Sequence, residues 1–112
     1  MTTIYTTWYD YRGKNTTHPT RKAQLKAAYD YLKKYPTSKA CINCNKYVNG
    51  KQMGNELIAV YWGKVDGKRQ IIVDQINTYH LLRSDGSKGK KLRKKYLYDS
   101  YGLIYSSVYF TE

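Results

Sequence analysis

A chain of 112 residues has room for one hydrophobic core and too little for two, so the sequence reads as a single domain over residues 1–112. Its 20 Lys and Arg face 8 Asp and Glu, a formal charge of +12, which argues against neutral or cationic partners and for a polyanion. Low hydropathy with such charge ordinarily signals disorder, but 14 tyrosines, two tryptophans and one phenylalanine supply enough rings for a core and an amphipathic surface.

In chain order, residues 3–11 are β-branched and aromatic, with Tyr5, Tyr9 and Tyr11 on one parity and Ile4 and Trp8 on the other, which predicts a strand. Residues 12–18 read as a polar loop. A helix is predicted over about 19–35, with Pro19 in its first turn and Pro36 ending it. Leu25, Ala28, Tyr29, Leu32 and Tyr35 fall at helical spacing and form the expected buried stripe. Arg21, Lys22, Lys26, Lys33 and Lys34 make a cationic face relieved by Asp30, and the last two suit the negative end of the helix dipole.

Residues 37–55 hold the turn markers Asn45, Asn49, Gly50, Gly54 and Asn55, with a short strand expected near 45–48. Cys41 and Cys44 form C-x-x-C. A structural zinc needs four ligands, and neither a second C-x-x-C nor an H-x-x-x-H type pair is present, while His18 and His80 stand alone. No metal or cofactor is expected, and the cysteines read as small residues in a turn. With no secretory signal at the start of the sequence, the expected setting is reduced and intracellular (cytoplasmic). No run approaches the ~20 apolar residues that span a bilayer.

The sharpest local signal is residues 56–65, then Asp66-Gly67, then 68–76: a two-residue hairpin of the type I′ kind. That turn sets Val65 opposite Lys68, Trp62 opposite Ile71 and Val60 opposite Val73. One face then carries Ile58, Val60, Trp62, Ile71 and Val73, and the other Leu57, Ala59, Tyr61, Ile72 and Ile76, so the hairpin belongs in the middle of a sheet. Residues 78–82 lead into a glycine-rich basic loop. A second hairpin follows, turning at Ser100, Tyr101 and Gly102. The expected fold is α+β: one helix packed on an antiparallel sheet of about five strands built from two hairpins.

Residues 83–95 hold seven cations in 13 positions, against one Asp. Arg83, Lys88, Lys90, Lys91, Arg93, Lys94 and Lys95 are therefore the leading candidates for phosphate contact, joined by Lys22 and Lys26 on the helix. Neither a P-loop nor a dinucleotide fingerprint occurs. Tyr96 and Tyr98, beside the basic run, are candidates for stacking on bases. The leading expectation is a small nucleic-acid-binding protein, with single-stranded and duplex partners both open. A second is a protein-directed modulator or inhibitor of a nucleic-acid-processing enzyme, of viral or mobile-element type, meeting an acidic protein surface. A third is a small metal-independent ribonuclease, for which His80, Arg83 and Tyr101 are the imaginable acid–base groups, although no spacing forces them together. The eight acidic residues are scattered, so no two-metal carboxylate cluster is expected. Oligomeric state is not legible.

Overall fold

The computed structural model describes the backbone of residues 3–9, 15–37 and 39–112, and side chains over 17–37, 48–52, 54 and 57–112. Among the described residues the order is β1 (Thr3–Tyr9), β2 (Asn15–His18), α1 (Arg21–Lys34), β3 (Lys39–Val48), β4 (Lys51–Val65), β5 (Lys68–Gln75), β6 (Thr78–Leu82), β7 (Lys88–Tyr98) and β8 (Ile104–Thr111). The strands form one sheet in the order β2-β1-β3-β4-β5-β6-β7-β8, and β4 pairs with β8 as well. That last pairing is parallel, at Val65 and Tyr109, and closes the five strands β4 to β8 into a barrel.

The expected open sheet of about five strands from two hairpins is therefore corrected. Two further turns extend the meander. Asn49-Gly50, with φ of 53° and 77°, joins β3 to β4. Ile76-Asn77, with φ of 49° and 58°, joins β5 to β6. Asn-Gly is a strong hairpin signal, but Ile-Asn is a weak one, because a β-branched residue at positive φ is strained. Asp66 closes the barrel. Its amide donates to the Tyr109 carbonyl at 3.0 Å, and its carboxylate accepts from the Thr111 amide at 3.3 Å and the Thr111 hydroxyl at 2.7 Å. The link joins positions 45 residues apart, so no local pattern announces it.

Local structure is corrected in three other places. Residues 15–18, expected in a loop, form a strand antiparallel to β1. Residues 10–14, and with them Tyr11, lie outside the described residues. Cys41 and Cys44, expected in a turn, lie on the backbone of β3 opposite Ala59 and Glu56; their side chains, like those of Tyr5, Trp8 and Tyr9, are outside the described ones. The helix is shorter than expected at both ends. Thr20 caps it, its hydroxyl accepting the Ala23 amide at 3.1 Å, so Pro19 precedes the cap rather than sitting in the first turn.

The β4–β5 register is the one Asp66-Gly67 predicts, with Val65, Trp62 and Val60 opposite Lys68, Ile71 and Val73. Its two faces bury in different places, although Leu57 and Ile76, expected on the second apolar face, are exposed. Ile58, Val60, Ile71 and Val73 pack with Leu25, Ala28 and Leu32 of α1, with Trp62, Tyr29 and Tyr31 against them. Val65 and Ile72 pack with Leu92 and Tyr109 inside the barrel. Each fully buried aliphatic side chain contributes about 1.5–3 kcal/mol, so this doubly covered hairpin anchors both halves of the molecule.

Candidate functional site

A cleft of about 580 Å³ opens where the helix meets the barrel. Four cations from four parts of the chain line it: Lys33 from α1, Arg69 from β5, Arg83 from the β6–β7 loop and Lys90 from β7. Trp62 and Tyr29 supply its aromatic wall. The register that pairs Trp62 with Ile71 makes Arg69 a diagonal neighbour on the same face, and its guanidinium lies 4.9 Å from the Trp62 ring centre. Lys33 Nζ stands 5.5 Å from the same ring and 5.9 Å from that of Tyr29, one helical turn away. The indole N–H donates to the Leu32 carbonyl at 3.0 Å, which locks the tryptophan between helix and sheet. Arg69 also donates to the Pro36 carbonyl. Asp66 is the one carboxylate among the described lining residues, and Thr111 already occupies it. What remains is a positive, concave surface on which Lys33 is held by rings and Arg69 by a ring and a backbone carbonyl.

The β6–β7 loop is docked on the helix. Gly86, at φ +92°, lies so close to α1 that a Cβ there would meet the Lys22 carbonyl at 2.1 Å and the Lys26 amide at 2.8 Å. Asp85 organises the turn by accepting the Ser87 amide at 2.9 Å and hydroxyl at 2.6 Å. Those bonds, then the Lys22 ammonium at 3.6 Å, hold the Asp85 carboxyl down at about 2. Lys26 in turn pairs with Asp30 at 2.8 Å. Lys22 and Lys26 thus stand beside the basic loop, a placement the sequence left open, and each is paired with a carboxylate.

The basic run itself is mostly strand rather than loop, a correction with a direct consequence. Alternation divides its charges between two faces. Arg83 and Lys90 join the cleft. Lys88 donates to the Gln75 side chain at 2.5 Å. Lys91, Arg93 and Lys95 form an exposed row on the outer face of β7. Lys94 turns the other way, its ammonium 5.3 Å from the Tyr79 ring, 4.8 Å from Tyr96 and 5.8 Å from Tyr109. Beside it the Tyr61 and Tyr109 hydroxyls share a 2.6 Å hydrogen bond, and burial followed by that bond pushes the Tyr61 phenol up. Tyr96 and Tyr98 are both exposed.

Sequence reasoning missed Arg69, Lys33, Trp62 and Tyr29 as parts of one site. The hairpin register held the signal for the Trp62–Arg69 pair; the approach of the helix is a tertiary fact. The imagined trio of His80, Arg83 and Tyr101 is not assembled. His80 pairs with Lys91, whereas Tyr101 lies in the turn beyond Tyr98, so seven strand residues, about 23 Å, separate Lys91 from the near edge of that turn. Among the described residues no group of three or more His, Cys, Asp and Glu forms a metal-binding cluster, and no helix is long and apolar enough to cross a membrane.

No protein-family model, curated protein or solved structure matches this chain.

Proposed function

We propose that this protein binds nucleic acid through its phosphate backbone, with the helix–barrel cleft as the main grip and the outer row Lys91, Arg93 and Lys95 as a second line of contact. The observation that carries this reading is the convergence of Lys33, Arg69, Arg83 and Lys90 on one concave surface whose single described carboxylate is tied off. Four cations gathered on one surface repel one another and weaken the fold unless an anion serves them, and a repeating phosphate chain suits both the cleft and the row beyond it. We read the setting as intracellular, where such polymers are plentiful.

Binding through phosphates releases counterions, so affinity for a labelled oligonucleotide falls steeply between about 50 and about 200 mM salt. Fluorescence anisotropy measures it. The double variant Arg69→Gln/Arg83→Gln flattens the salt slope by about 1.4–1.8, two phosphate contacts' worth. An affinity indifferent to salt would sink the reading.

A further inference from the structure

The tyrosines divide into two populations. Tyr109 is buried, and Tyr29, Tyr31, Tyr61 and Tyr79 are partly buried and packed on the two cores. Among the described residues the exposed tyrosines are Tyr96, Tyr98, Tyr101 and Tyr105, at 43, 58, 87 and 65% exposure, and all four belong to the β7–β8 hairpin. A core that small does not need them: none of the four packs on either core, and only Tyr96 among them holds a neighbour, the Lys94 ammonium.

Their placement is ordered. Lys94, Tyr96 and Tyr98 fall at every second position of β7, which sets them toward one face, and a register shift against β8 lies between Leu97 and Tyr98. That face continues the groove at the barrel mouth lined by Tyr61, Asp74, Lys94, Ser107 and Tyr109, a space of about 360 Å³. Residues two apart on a strand stand about 6.6 Å apart. Stacked bases rise about 3.4 Å along each strand, so the interval from Tyr96 to Tyr98 is close to two stacking distances, room for one base between two rings. The Lys94 ammonium, held over the Tyr79, Tyr96 and Tyr109 rings, sets a positive charge beside that interval. At the hairpin tip Asp99 accepts the Tyr101 amide at 2.8 Å and the Leu103 amide at 3.0 Å, and so shapes the turn. The bases of a duplex are stacked on each other and hide their faces; those of a single strand are free to lie on rings.

Resting on the nucleic-acid reading above, we infer that the bound polymer is single-stranded, with its bases stacking on Tyr96 and Tyr98 of the β7–β8 hairpin while its phosphates follow the cationic surface. The test uses the full chain and one fluorescein-labelled oligonucleotide, either single-stranded or annealed to its complement. Tyr98→Ala weakens single-strand binding by about tenfold, Tyr98→Phe retains it, and duplex affinity moves by less than about twofold. Tyr98 is an exposed side chain, so the alanine variant keeps its fold. Equal losses for both forms, or failure of phenylalanine to rescue, overturn base stacking. If Tyr98→Ala is silent while Arg69→Gln/Arg83→Gln weakens both forms, the stacking inference falls and the nucleic-acid reading stands. If the arginine variant is silent as well, both fall. Loss of co-sedimentation with phosphatidylserine vesicles, with single-strand binding intact, would reassign the hairpin to a lipid surface and overturn the inference.

Discussion

The helix–barrel cleft and the β7–β8 hairpin are built from the same residue types, and they use them in opposite ways. In the cleft, Trp62 faces Arg69 and Lys33, and its N–H is spent on the Leu32 carbonyl; the ring serves to hold cations. On the hairpin, Tyr98, Tyr101 and Tyr105 stand in solvent, and Lys94 is the cation held by rings that remain partly open. Composition is thus a poor guide to role. A ring gripped between packed elements positions charge, whereas one on a projecting hairpin offers its face to a partner. The cleft draws its residues from one helix, five strands and two of the connections between them and depends on the whole fold; the hairpin depends mostly on its own ladder and turn.

The largest expected effect breaks the cleft and spares the hairpin. Gly86→Ala sets a methyl group against two backbone atoms of α1 at a positive φ, and neither atom yields as a flexible side-chain tip would. It costs about 3 kcal/mol in urea denaturation and weakens oligonucleotide binding through displaced Arg83 and Lys90. The Tyr98→Ala increment persists in that background if the two regions are independent. A variant of unchanged stability would show that the loop does not rest on the helix.

Thr111→Val probes the closure that the two regions share. It deletes the hydroxyl donor to Asp66, freeing a carboxylate into the cleft as well as loosening the barrel seam. Stability drops by about 1 kcal/mol by urea midpoint, and binding weakens because the Asp66 carboxylate, no longer held at the seam by that hydroxyl, can pair with the cations of the cleft. Enhanced affinity would contradict this account of Asp66.

Ile76→Asn should touch neither region. Ile76 is 77% exposed and holds φ at 49°, where asparagine is at ease and a β-branched residue is not. A gain of about 0.5–1 kcal/mol follows, read as a higher urea midpoint with unaltered binding.

The smallest effect is a titration that reports on the outer row of β7. Burial first, then Lys88 and Lys91, hold the His80 imidazole below its ordinary 6.5. Because the unfolded chain takes up that proton more readily, stability falls as pH drops below 6.5 toward the folded value. Phosphates laid along Lys88 and Lys91 cancel the charge contribution, so His80 should titrate at higher pH once the protein is saturated with oligonucleotide. NMR of the imidazole follows it. An unmoved titration would confine the polymer to the cleft and hairpin and exclude the outer row.

Much of the fold was legible wherever a short-range rule acts alone. The turn at Asp66-Gly67 set a register that holds residue by residue, and 3.6-residue spacing found the buried stripe through Leu25, Ala28 and Leu32. Gly102 was correctly placed in a turn with φ of 79°. Asn49-Gly50 carried a hairpin signal that went unused among other polar markers, and Ile76-Asn77 carried almost none, which is why the run of consecutive strands from β3 to β8 read as two hairpins.

The candidate site was legible only in part. Arg83 and Lys90 were singled out from a dense basic run, but charge density is blind to which way a strand turns its side chains; alternation sent Lys94 to the tyrosines and Lys91, Arg93 and Lys95 outward. The sequence by itself determined the charge, the ring count, the helix and the central hairpin, because each follows from composition or from neighbours a few residues apart. Only the tertiary structure decided that β8 returns to β4 and that Lys33 meets Arg69 over Trp62. It also decided which tyrosines are core and which face water. Those outcomes depend on contacts between positions tens of residues apart, where loop closure and packing choose among arrangements that local propensity leaves nearly equal.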